Sequence, residues 1–419
     1  MILKKIEFYL PLIIIPLMMY RDSWLMGADP IGGKALYVVI LFTFIILLLN
    51  FNIIDYLNFN FNNIFKHYFF LLLFLLFFIS LLFNTQEISN FYYLTRLITF
   101  FCYLYLYFHL LPKLFNENPD YFFKFLRYLI GLGTLIGFLG LLMLFIGFSP
   151  SATRVGKFVA YANDPNFVAG NFIYCVLSTI YYLINKREII NINKKLILFG
   201  CLFIQCISLY FTYSRTSIIA LLLGFILYTF YIFRKKQLLT VYPFILAILP
   251  TVIIKVIQSK GFISVIMRFL LLVPAYYMVN NNTKRLLMGF GVTDAFAEYE
   301  KAKLFYNVFA EENINNPHNM FVSLILMFGL IFTVIFVIIT FGFIFRCIKK
   351  SLHSPRSEKL FVGFVLSVLL GLFYQGLFES QIVQVEYASL QPFLICLGLL
   401  YRYKIYNFVP EFKAVNQAI

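Results

Sequence analysis

Long apolar runs follow one another from end to end of the chain, parted by short polar stretches that hold most of the Lys and Arg. About 20 apolar residues in a helix cross the ~30 Å hydrocarbon layer of a bilayer. On that ruler the pattern predicts helices near 6–20, 35–54, 67–84, 95–112, 125–148, 166–185, 196–212, 216–233, 240–256, 319–345, 359–378 and 384–401. There is no Gly/Ser-rich or Pro-rich linker, so residues 1–419 read as one all-α, polytopic membrane domain of about twelve spans. The exception to the pattern is the long hydrophilic stretch 257–316. Within it, Phe262 to Val279 is half apolar and predicts an amphipathic or re-entrant helix. Long loops in compact proteins are functional or disordered. The mixture of aromatic and charged residues here favours an ordered, functional loop.

Charge supplies direction. Only 12% of the residues are charged, against about 25% in a soluble globule, so the chain lacks the polar surface to cover a soluble particle. The net charge of +16 does not point to nucleic acid. Its basic residues sit in clusters between spans, as cytoplasmic topology signals do. With the N-terminus inside, the cytoplasmic segments collect Lys4, Lys5, Lys66, Lys113, Lys124, Arg127, Lys186, Arg187, Lys194, Lys195, the Arg234 to Lys236 triplet, the group from Arg346 to Lys359, and Arg402, Lys404 and Lys413. The short outer loops keep only Arg21, Lys34, Arg96, Arg154, Lys157 and Arg215. Both termini are then cytoplasmic and 257–316 lies outside. No small-residue cleavage site precedes Arg21, so the first apolar run is expected to stay as a helix. The six cysteines form no CxxC, which argues against a disulfide framework or a metal site.

The outer helix ends gather the unusual polar residues: Arg154, Asp164 and Asn166 in one loop, Arg215 in a tight turn, Arg268 and Arg285 in the long stretch, His318 and Asn319 at its end, and Glu379 in the last turn. Each has a plain structural reading. Arg215 can be a snorkelling anchor. Asp164-Pro165-Asn166 and Asn316-Pro317-His318-Asn319 suit helix starts, where Asn or Asp caps free N–H groups and Pro fits the first turn. A lone His318 is more often interfacial than catalytic. Glu379 near the membrane edge is costly unless solvated or paired. As a set, arginines on the outer side run against the positive-inside bias. Their forks bind phosphate oxygens in pairs, and a helix start adds its positive end. A neutral histidine beside them suits proton removal from a hydroxyl. The set suggests group transfer from a lipid-linked pyrophosphate to a hydroxyl acceptor. Asp294, Glu298 and Glu300 read as an exposed acidic face rather than a cation site, and no outer DxD occurs.

The run Asp164-Pro165-Asn166-Phe167-Val168-Ala169, then Ser214-Arg215-Thr216-Ser217, then Arg268 ahead of Met288-Gly289-Phe290-Gly291, then Pro317-His318-Asn319 before Phe328-Gly329-Leu330, resembles the O-antigen ligase/polymerase superfamily. The resemblance covers roughly residues 150–345. It implies a metal-independent, cofactor-free, inverting glycosyltransferase of the GT-C type in the bacterial inner membrane, with one long periplasmic loop. Its donor would be an undecaprenyl-pyrophosphate-linked oligosaccharide, and a chain-length regulator is an implied partner. By the same resemblance Arg154, Arg215 and Arg268 would contact pyrophosphate and sugar, and His318 would be the base or orient the acceptor. Asp164, Asn166 and Glu379 would support the site, beside Arg285 and Asn319. The family's paired arginine motifs place a glycine eleven positions on, whereas here Gly224 follows Arg215 by nine and Gly170 follows Arg154 by sixteen. A polymerase, extending the glycan on the next lipid-linked repeat, is favoured over a ligase to lipid A-core. A lipid-linked oligosaccharide flippase is the alternative of another class, but the chain lacks the related halves expected of a transporter.

Overall fold

A computed structural model of the chain describes residues 2–21, 32–49, 91–147, 165–185, 191–233, 269–280, 282–291, 294–305, 317–378 and 390–410. All regular structure among them is helical: α1 (Ile2–Arg21), α2 (Gly32–Leu49), α3 (Phe91–Tyr103), a π-helical stretch (Leu104–Leu110), α4 (Leu111–Glu117), α5 (Pro119–Phe145), α6 (Pro165–Asn185), α7 (Ile192–Phe211), α8 (Arg215–Ile232), α9 (Leu272–Asn280), α10 (Thr283–Met288), α11 (Asp294–Phe305), α12 (Met320–Leu352), α13 (Arg356–Gly376) and α14 (Leu390–Tyr406). Among the described residues, seven stretches are long and apolar enough to cross a membrane: 98–117, 119–145, 168–185, 192–211, 215–232, 320–352 and 356–376. The expected spans 67–84 and 240–256 lie outside the described residues.

Asparagine sets several helix starts. Asn118 is extended, and its side chain accepts from Asp120 N–H ahead of Pro119. Asn191 and Asn282 accept from the N–H groups of Lys194 and Arg285. Each satisfies a donor that the first turn leaves free. α1 shows the complementary problem. Pro16 has no N–H, so the Leu12 carbonyl loses its helical partner. The Tyr128 hydroxyl of α5 donates to that carbonyl at 2.8 Å, and the Tyr107 hydroxyl donates to Pro11 O at 2.9 Å. These bonds tie α1 to the π-helical stretch and to α5. Tyr128→Phe is expected to lower stability by about 1–3 kcal/mol, the cost of an orphaned buried carbonyl, read as a lower unfolding midpoint in detergent.

α6 and α13 form the centre: 78% of the apolar window of each is buried, against 17% for α7 at the perimeter. α13 runs antiparallel to α8, with small residues at the crossing. A Cβ on Gly224 would sit 2.7 Å from Ser367 O, and one on Gly371 3.2 Å from Ala220 O. Gly363, Ser367 and Gly371 recur every fourth residue, the spacing that lets apolar helices approach backbone to backbone. Gln205 of α7 binds α5 and α6 together. Its amide donates to Ile130 O and Thr134 Oγ1, and its carbonyl accepts from Thr179.

Three features depart from the sequence reading. The expected span 95–112 passes into a π-helix and then α4, ending at Glu117. The stretch 257–316 keeps the helix expected within Phe262 to Val279, as α9, but adds two more, α10 and α11, and Tyr299 of α11 donates to Leu271 O at 2.6 Å. The expected span 319–345 runs on to Leu352 and is broken at Gly329 (φ 87°, ψ 167°).

Candidate functional site

The break in α12 organises one end of the bundle. A straight helix would spend the carbonyls of Leu326 and Met327 on residues 330 and 331. Here they accept from Phe290 N–H at 2.7 Å and Gly291 N–H at 3.1 Å. Thr333 Oγ1 donates to Gly329 O at 2.8 Å. The break is thus satisfied by a docked segment, the condition under which irregular backbone survives in a membrane domain. Contact is close on both sides. A Cβ on Gly289 (φ 80°) would lie 2.6 Å from Met327 O, and one on Gly329 would collide with the Leu287 carbonyl. Two of the motifs noted in the sequence, Met288-Gly289-Phe290-Gly291 and Phe328-Gly329-Leu330, therefore lie against each other.

The break also turns the first half of α12. Asn319 Nδ2 donates to Leu377 O at 2.9 Å, and Phe341 stacks on Phe373 with centroids 5.2 Å apart. In a straight helix Asn319 and Phe341 would stand about 33 Å apart, yet both touch the last turns of α13. Asn319 is doubly used: its Oδ1 accepts from Val322 N–H at 3.1 Å and caps α12. His318, half-buried, holds φ 48°, a left-handed conformation uncommon for a residue with a Cβ.

Two further helix starts reach the same end of α13. Gln375 donates to Asn166 O in the first turn of α6 at 3.4 Å, with its amide lying over Gly170. Arg215, half-buried, is the first residue of α8, behind a turn in which Tyr213 has φ 52°. Ala220 packs on Gly371, so the antiparallel crossing sets Arg215 level with Gln375 and Gly376. Asn166, Arg215, His318 and Asn319 thus surround one helix end, where the starts of α6, α8 and α12 meet. Arg285 stands apart, on α10 beside the break, with its guanidinium 5.6 Å from the Phe290 ring centre. Arg154, Asp164, Arg268 and Glu379 lie outside the described residues.

Sequence reasoning missed a set of buried polar groups at this end. Gln375, Gln391 and Ser323 are each 0% exposed, and Gln375 Oε1, both amide atoms of Gln391 and Ser323 Oγ have no hydrogen-bond partner among the described residues. Phe373 and Phe393 pack edge to face at 5.3 Å, which places Gln375 and Gln391 at one level. Unpaired buried amides cost free energy unless water or a ligand meets them. Two glutamines in apolar helices were the available signal. Glu298 forms an exposed ion pair with Lys301 at 2.6 Å. Among the described residues no group of three or more His, Cys, Asp or Glu is placed to hold a metal ion, and all six cysteines are free.

No protein-family model matches the chain, and searches of curated proteins and of solved structures find no match either.

Proposed function

We propose that the chain is a glycosyltransferase of about twelve membrane spans in the bacterial inner membrane, with both termini cytoplasmic and the site facing the periplasm. In this reading it transfers a growing surface glycan from undecaprenyl pyrophosphate to the next lipid-linked repeat unit. The observation that carries the reading is the meeting of three helix starts around the end of α13, with Arg215 and His318 among them. Helix starts present free N–H groups and positive partial charge, and arginine adds a fork for phosphate oxygens. Pyrophosphate is the anion such a site suits in a membrane.

The chemistry then balances without further reagents. The acceptor hydroxyl oxygen bonds to the anomeric carbon while the bond from that carbon to the pyrophosphate oxygen breaks. The leaving lipid pyrophosphate takes the electron pair, and Arg215 offsets the growing charge. His318 takes the hydroxyl proton. Gln375, Gln391 and Ser323 offer the unpaired donors and acceptors that a sugar's hydroxyls require.

Deleting the gene and resolving lipopolysaccharide on a gel tests the reading. Core bearing a single repeat unit is the expected result. Bare core with long glycan held on the lipid carrier would assign the ligase instead. Bare core with repeats trapped on the cytoplasmic face would assign a flippase and overturn the proposal.

A further inference from the structure

The opposite end of the bundle holds a buried arginine, Arg402, whose Nε has no hydrogen-bond partner among the described residues. Arg402 of α14 is 5% exposed. Its guanidinium sits 4.8 Å from the Tyr406 ring centre. One turn earlier, Gly398 presses on the Phe108 carbonyl and on Pro112, which seats α14 against α4. There Arg402 comes within electrostatic reach of Lys113 and Glu117. Two carboxylates share this corner, the buried Glu7 of α1 and Glu117, both within electrostatic reach of Lys4 and Lys113, and Glu117 is already committed: its Oε2 binds Lys4 at 2.8 Å, and its Oε1 lies 3.8 Å from Lys113. The pair with Glu117 raises the Lys4 ammonium above its ordinary range, so Lys4 stays charged.

A buried guanidinium N–H without an acceptor is unfavourable, because it has given up water. The corner between α1, α4 and α14 sets the cations Lys4, Lys113 and Arg402 against the acids Glu7 and Glu117, which leaves positive charge in excess, and Lys350, reaching Tyr403 O and Asn407, adds to that end of the bundle. An anion from outside the chain relieves both conditions. We propose that Arg402, with Lys113 beside it, is a binding site for a phosphate group. The planar fork matches two phosphate oxygens, the Tyr406 ring backs the guanidinium, and basic pockets between membrane helices suit anionic head groups. A phospholipid head group and free phosphate present the same chemistry. The site is independent of the glycan reading, since it lies at the other end of the helices.

The test uses the full-length protein in a phosphate-free maltoside detergent, alone or with added phosphatidylglycerol, and a titration of inorganic phosphate at constant ionic strength. The unfolding midpoint is expected to rise with one of these additions. A rise with phosphatidylglycerol identifies the head group, and a rise with inorganic phosphate identifies the free ion. Arg402→Gln is expected to abolish the rise, and Arg402→Lys, which keeps the charge without the fork, to weaken binding about tenfold or more. No rise in either arm, or an equal rise in Arg402→Gln, overturns the proposal. Should Arg402→Gln fail to accumulate, native mass spectrometry of the wild type and Lys113→Gln decides. Retention of the phosphate-bearing species by the wild type and its reduction in the variant support the site, and equal retention overturns it.

Discussion

His318→Asn is expected to abolish polymer while leaving the protein folded. The choice of asparagine follows from the backbone. His318 sits at φ 48°, and asparagine is among the residues that tolerate the left-handed region. The neighbouring cap and its bond to Leu377 belong to Asn319 and are left untouched. What the substitution removes is the imidazole, and with it the group that takes the acceptor proton in the proposed reaction. General-base catalysis contributes about 10²–10⁴ in rate, so the turnover of a lipid-linked repeat unit by purified protein should fall by that factor. Arg215→Lys is the companion variant: the charge stays at the start of α8, but the paired contact to phosphate that the proposed reaction assigns to Arg215 is lost. Both variants should accumulate to wild-type levels on an immunoblot. Wild-type chain length from His318→Asn would remove His318 from the chemistry and leave it as an interfacial histidine.

The sequence made the spans legible because hydrocarbon thickness imposes a length, and because asparagine and proline mark where helices begin. The tight turn between α7 and α8 fell where the pattern put it, at Thr212 to Ser214. The break in α12 was not legible. Residues 320–345 are apolar on both sides of Gly329, and glycine is common in membrane helices, so nothing local separates a kinked helix from a straight one. The cause lies in a partner some 40 residues earlier, the docked segment 288–291. The π-helical stretch 104–110 was hidden for the same reason: an all-apolar run carries no phase. Within the site, Asn166, Arg215, His318 and Asn319 were recognisable as residues at helix starts, and packing on α13 brought them to one place. Arg285 lies in the first turn of the short helix α10, capped by Asn282, and the sequence alone did not say where that helix docks. Gln375 and Gln391 show their importance only when burial reveals that their amides lack partners.

Gly329→Ala should have the largest effect on the fold of any single methyl group added to α12. The backbone at φ 87°, ψ 167° is in a region used essentially by glycine alone. The added Cβ would also collide with the Leu287 carbonyl, which belongs to the docked segment rather than to a side chain that can turn away. Relief requires the segment to leave, and then the carbonyls of Leu326 and Met327 lose Phe290 and Gly291 as donors. Backbone strain of about 1–3 kcal/mol and two lost hydrogen bonds at about 0.5–1.5 kcal/mol each together come to roughly 2–6 kcal/mol. If α12 straightens to recover its own ladder, the first half swings and Asn319 parts from Leu377. The variant should therefore lose both thermal stability and a cysteine cross-link engineered between positions 290 and 326. Gly342→Ala in the same helix is the control, since a Cβ there meets nothing within 4 Å. It should stabilise by about 0.5–1 kcal/mol, the ordinary helical gain of alanine over glycine. Equal midpoints for the two variants would mean that α12 does not depend on the docked segment. The site at the end of α13 would then have to be held by the Asn319 cap alone.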